Sequence, residues 1–193
     1  IILELILKVE NISKTFNHRI ILNDVSFSMV AGDCTALLGP NGSGKTTLLK
    51  LLSGVMKPQK GSGSLFSQPL FKANYKYRIH LIYLGHAPML YPALTVIENL
   101  RFFFQIRREI VLLSEIQESL DEFGLLEQSN EPVRNFSAGM LQRLDLVRLK
   151  LSNWQLALLD EPNSALDQEG LQILNTLLLN WKSQGKSILF STH

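Results

Sequence analysis

The chain has 193 residues, 46% of them hydrophobic and 19% charged, enough apolar surface for one well-buried domain and too much for a disordered segment. A formal net charge of +2 without a strong basic run gives no electrostatic footprint for nucleic acid, and a single cysteine, Cys34, excludes an internal disulfide and suits a reducing compartment. No apolar run reaches the length that spans a bilayer, although the mean hydropathy of +0.10 points to a large core or to apolar surface kept for a partner.

Residues 1–9 are apolar but interrupted by Glu4 and Lys8, and they read as an edge or buried strand, not a signal peptide. The start at Ile1 and the stop at His193, straight after an apolar strand, make a longer natural protein the expectation. Residues 5–11 read as a strand, 13–19 as a polar turn, and 20–22 and 25–29 as two short strands with Asn23-Asp24 turning between them. Residues 35–38 form a further strand that leads into a glycine-rich turn and then a leucine-rich helix; Cys34 beside it reads as a small packing residue. The stretch 57–63 is rich in breakers and reads as a loop, and 79–84 as a strand. Beyond His86 the spacing turns helical, over 95–107, with Thr95 and Glu98 placed as a capping box, and over 114–122. Ser137 is placed to cap a helix running toward Lys150. Residues 156–159 and 188–191 are apolar strands with a helix over 168–182 between them. Strands alternating with helices imply a parallel sheet covered by helices, with 87–153 inserted as a helical segment.

The glycine-rich turn reads Gly39-Pro40-Asn41-Gly42-Ser43-Gly44-Lys45-Thr46, a full match to the phosphate-loop pattern in its strand-to-helix setting. Its glycines let the backbone approach an anion, and the helix start directs N–H groups and a positive dipole end at phosphate oxygens. Lys45 can reach β- and γ-phosphates, and Thr46 can offer its hydroxyl to Mg²⁺. The bland reading is a glycine turn capping an ordinary helix. Residues 156–159 end in Asp160-Glu161 at the carboxyl end of a strand, where parallel sheets bind ligands. There Asp160 can hold Mg²⁺ and Glu161 can take a proton from a water attacking phosphorus; alone, Asp160-Glu161-Pro162 also resembles an acidic helix start.

The phosphate loop by itself leaves a GTPase, a kinase or a helicase open. The whole set of motifs, in order along nearly all of the chain, resembles the ATP-binding cassette (ABC) ATPases. Phe16 falls where that family stacks an aromatic on adenine, although a lone Phe in a strand-rich region also reads as core. His86 stands at the Q-loop glutamine, and Phe136-Ser137-Ala138-Gly139-Met140 at the LSGGQ signature. Leu158-Leu159-Asp160-Glu161-Pro162 matches the second Walker motif, Ser164-Ala165-Leu166-Asp167 the D-loop and His193 the switch histidine. The resemblance implies an α/β phosphate-loop NTPase fold of the ABC type: a mostly parallel sheet core, an N-terminal antiparallel β part and an inserted helical subdomain. It implies one ATP-binding domain over 1–193, with 1–86 and 154–193 as core and 87–153 as the helical signature part.

The family also implies ATP bound by Phe16, by the loop residues Gly39, Pro40, Asn41, Gly42, Ser43, Gly44, Lys45 and Thr46, and by Thr47. Mg²⁺ falls to Thr46 and Asp160, and catalysis to Glu161, His193 and His86. Contacts from a second subunit fall to Ser137, Ala138 and Gly139, with Asp167 in the D-loop. Two cassettes would pair head to tail as a homodimer beside separate transmembrane subunits, at the cytoplasmic face of the membrane, with no nucleic acid. Two positions depart from the pattern: Met140 lacks the amide of the last signature residue, and the imidazole of His86 is shorter than glutamine, so it acts in catalysis, in coupling or only in structure. Tyr83-Leu84-Gly85-His86-Ala87-Pro88, with Leu94-Thr95-Val96-Ile97-Glu98-Asn99 and the Ser137-Ala138-Gly139 signature, looks like the ATPase subunit of the haem exporter for cytochrome c maturation; Met140 and Leu141 depart from it. The alternatives are an ATP-gated clamp acting on nucleic acid or ribosome, and a non-hydrolysing regulator, against which Glu161 argues.

Overall fold

The computed structural model describes residues 4–72 and 76–192, with residues 76 and 77 as backbone only. The chain divides into two compact units. One comprises the described parts of Ile1–Gly85, Trp154–Glu161 and Trp181–His193, the other His86–Asn153 and Pro162–Asn180.

The first unit holds two four-stranded sheets. One is antiparallel, in the order β2-β1-β4-β5, from β1 (Leu5–Phe16), β2 (Arg19–Val30), β4 (Lys60–Leu65) and β5 (Gln68–Pro69). The other is parallel, in the order β3-β8-β7-β6, from β3 (Cys34–Leu38), β8 (Ser187–Thr192), β7 (Leu156–Asp160) and β6 (Leu81–Leu84). Helix α1 (Lys45–Leu52) buries Leu48, Leu49, Leu51 and Leu52 in a core shared with Leu7, Val9, Ile12 and Met29 of the first sheet and Leu156, Leu158 and Leu189 of the second.

Several boundaries differ from the sequence reading, each for a local reason. The turn expected over 13–19 shrinks to Asn17-His18, both left-handed at φ 45° and 64°, which the tight hairpin between right-twisted strands requires. Asn23-Asp24 does not end a strand. Asp24 sits in a bulge of the continuous β2 at φ 55°, opposite a second bulge at Asn11, and the Asn11 amide donates to the Asp24 carboxylate at 2.5 Å. The loop expected over 57–63 contributes β4, because a side chain at Gly61 would lie 2.5 Å from the Asn11 carbonyl oxygen, and glycine permits that approach. Cys34 is exposed on the edge strand β3 instead of packed.

The second unit contains α2 (Val96–Arg107), α3 (Leu113–Glu122), α4 (Ala138–Leu151) and most of α5 (Gln168–Ser183). Its apolar interior includes Leu100, Phe104, Ile116, Leu120, Leu144 and Val147. The expected capping box forms: Thr95 accepts from the Glu98 N–H and the Glu98 carboxylate accepts from the Thr95 N–H. Residues 162–180, assigned from sequence to the core part, group with this helical unit, because Gln142 and Arg143 of α4 bond Ala165 and Asp167. Among the described residues no helix is long and apolar enough to cross a membrane.

Candidate functional site

In the first unit, β3 delivers the chain to the glycine-rich turn and α1 carries it away. Gly44 caps α1 at φ 95°, and a side chain there would meet Leu22 at 2.9 Å and the Ile21 carbonyl at 3.0 Å, so only glycine closes the turn. Gly42, at φ 80°, has open space where a side chain would stand, and its constraint is the backbone alone. The first amides of α1 lack intrahelical acceptors and meet the positive end of its dipole. Residues 41–47, with Ile21 and Glu161, line a cavity of about 220 Å³.

The two motifs, 114 positions apart in sequence, meet at one carboxylate. The Thr46 hydroxyl donates to Asp160 Oδ1 at 3.0 Å, and the Ser191 hydroxyl donates to the same oxygen at 2.8 Å. Ser191 also accepts from the Glu161 N–H at 2.9 Å. Asp160 is buried, and its Oδ2 has no hydrogen-bond partner among the described residues. A buried carboxylate oxygen left this way suits a cation or a donor. Glu161 is left-handed at φ 54°, a backbone state that costs a non-glycine residue energy and recurs at functional sites. The Lys45 ammonium donates to the carbonyls of Gly39 at 2.5 Å and Pro40 at 3.3 Å, over the mouth of the loop.

Phe16 is exposed at the end of β1, with the Lys14 ammonium 5.2 Å from its ring centre, and does not line this cavity. Pro40, Asn41, Gly42 and Ser43 are exposed, Thr47 half-buried. His193 lies outside the described residues. His86 is exposed and belongs to the second unit.

In the second unit, Ser137 caps α4 and accepts from the Met140 N–H at 3.3 Å. Ser137 and Gly139 line a second cavity, of about 350 Å³, together with Met140, Arg143, Ala165 and Asp167. A side chain at Gly139 would lie 2.9 Å from the Ala165 carbonyl oxygen, so the glycine lets these two segments touch. Arg143 donates to both oxygens of Asp167, at 2.8 and 3.0 Å, and to Glu169 at 2.9 Å, while Gln142 accepts from the Ala165 N–H at 2.8 Å. The Gly170 N–H, and after it Arg143, hold the Asp167 carboxyl below its usual range. Sequence reasoning missed Ser191, Gln142 and Arg143. Ser191 is one more small residue in an apolar strand, and the other two look like ordinary polar positions of a helix.

The ABC transporter family profile matches residues 22–164. The cytochrome c biogenesis ATP-binding export protein CcmA of Vibrio cholerae is 34% identical over 187 residues, which cover 97% of this chain and 90% of that protein. An uncharacterized ABC transporter ATP-binding protein of Nostoc is 38% identical over 92% of this chain and 54% of its own length. A solved ATP-binding subunit of an ABC transporter superposes with a TM-score of 0.86 at 31% identity, over 97% of this chain and 79% of that one. The chain belongs to the ABC transporter family, as an ATP-binding subunit whose ATP hydrolysis is coupled to transport.

Proposed function

We propose that this subunit, one ATP-binding cassette over 1–193, powers export through separate transmembrane subunits from the cytoplasmic face of the membrane, and that the exporter serves haem delivery for cytochrome c maturation. The observation that carries the ATPase site is the joining of Thr46 and Asp160 at 3.0 Å, with Asp160 Oδ2 left open. Support for the narrower reading comes from the Tyr83-Leu84-Gly85-His86 run and from the likeness to the export protein of Vibrio cholerae.

In this reading the loop amides and the Lys45 ammonium bind the β- and γ-phosphates, and Lys45 exchanges its two carbonyl acceptors for phosphate oxygens. Thr46 and Asp160 hold Mg²⁺, which when bound neutralises charge on the phosphates. Glu161 accepts the proton of the attacking water, and His193 and His86 assist around the γ-phosphate. Phe16 stacks on adenine. Ser137, Ala138 and Gly139 reach the γ-phosphate of a second copy through the start of α4, and Asp167 holds the D-loop beside them.

Affinity purification of the full chain from native membranes tests the assignment. Separate integral membrane subunits should co-purify, and loss of the chain should remove covalently haem-bearing c-type cytochromes. Recovery of ribosomes or nucleic acid in place of membrane subunits would favour a clamp. Membrane partners with normal c-type cytochromes would keep the transporter reading and remove the haem assignment.

A further inference from the structure

One face of the parallel sheet, the face covered by α1, carries Leu37 of β3, Leu189 and Ser191 of β8, Leu158 and Asp160 of β7, and Tyr83 of β6. Tyr83 pairs with Leu158 and Leu84 with Leu159, so one step on, Gly85 falls opposite Asp160, in the row that holds Ser191. Gly85 has no side chain to fill its place in that row. A Cβ there would lie 2.9 Å from the Tyr83 hydroxyl oxygen. The Tyr83 side chain therefore leans along its strand, and its hydroxyl occupies the position beside Asp160.

That hydroxyl is buried without a hydrogen-bond partner among the described residues, and so is Asp160 Oδ2. A buried hydroxyl and a buried carboxylate oxygen, both unused and on neighbouring strands, fit a common third group. A tyrosine hydroxyl is un-ionised at neutral pH and can both donate and accept a hydrogen bond. We propose that Tyr83 is a positioning residue of the phosphate site, its hydroxyl oxygen accepting a hydrogen bond from a water in the hydration shell of the divalent cation held at Asp160 Oδ2. Mg²⁺ keeps several waters when bound by one or two protein oxygens, and such waters turn their oxygens to the cation and their hydrogens outward, so the shell offers donors at this depth. Tyr83 touches none of the reacting atoms in this arrangement and acts by fixing the cation's place.

The inference rests on the reading of Asp160 as a cation ligand, and the test separates the two. Mn²⁺ serves as the probe, bound to the full chain with ADP and read by electron paramagnetic resonance. Tyr83→Phe should weaken Mn²⁺ binding by about tenfold, the factor for one hydrogen bond of charge-assisted strength. ADP affinity without metal should stay at the wild-type value, and the melting temperature should hold or rise, because the variant removes only a buried hydroxyl. Wild-type Mn²⁺ affinity in Tyr83→Phe, or an equal loss of metal-free ADP binding, would overturn the role given to Tyr83. Asp160→Asn should abolish Mn²⁺ binding. If it does and Tyr83→Phe binds normally, this inference alone fails; if Asp160→Asn also binds normally, the cation-site reading fails with it.

Discussion

The Lys45 ammonium rests on the carbonyl oxygens of Gly39 and Pro40, and engaging a phosphate means trading these neutral acceptors for charged ones. An ammonium–phosphate contact adds the attraction of two opposite charges, which an ammonium–carbonyl contact lacks, so the exchange favours the bound state. Lys45→Ala should therefore weaken ATP binding by at least about tenfold, one charge-assisted bond's worth, and take turnover to background. Nucleotide titration and a phosphate-release assay read both quantities. Near-normal binding with near-normal turnover would contradict the phosphate-loop assignment. At this scale the sequence was most legible where backbone chemistry leaves few choices: Gly42 and Gly44 stand at left-handed positions, and Lys45 and Thr46 follow them. Ser191 was not legible, because its bridge between Asp160 and Glu161 exists only after β8 lies beside β7.

Among the elements, α4 carries more than its capped start. Its first turn presents Ser137 and Gly139, and its second reaches Asp167 and Glu169 through Arg143, whose other amino group donates to the Phe123 carbonyl at 3.1 Å. Asp167 and Glu169 are largely exposed, so this cluster adds little to stability, and its effect lies in holding the D-loop to the start of α4. Arg143→Ala should lower turnover several-fold and lower the melting temperature by about 2–4 °C, roughly the 1 kcal/mol of one hydrogen bond, because the arginine is largely buried and also holds the Phe123 carbonyl while its carboxylate partners are exposed. Arg143→Lys should not restore turnover, because an ammonium cannot reproduce the forked donor geometry. Wild-type turnover in Arg143→Ala would remove the positioning role. The Asp167 carboxyl adds a direction in pH. Its folded pKa is depressed, so its contribution is complete above the ordinary carboxylate value and is lost as pH falls through the lower folded value. Helices with caps, such as α2 after Thr95, were readable from sequence; β4 was not, because Gly61 and Gly63 resemble a loop until β1 supplies their partner.

For the molecule as a whole, the phosphate loop and the Ser137 start of α4 belong to different compact units, and each is a helix start suited to one side of a triphosphate. Two copies paired head to tail, with ATP between the loop of one and the α4 start of the other, would form two equivalent sites related by a two-fold axis. Hydrolysis would then release the pair, and the transmembrane subunits would be driven by that cycle. The test is the oligomeric state of Glu161→Gln with ATP, measured by size-exclusion chromatography alongside turnover. The amide keeps the shape of Glu161 but cannot accept a proton, so hydrolysis should fall by about 10²–10⁴-fold, the range of general-base catalysis. The variant should bind ATP and elute as a dimer with ATP and as a monomer with ADP. A variant that hydrolyses ATP at the wild-type rate, or that stays monomeric with ATP bound, would contradict this account.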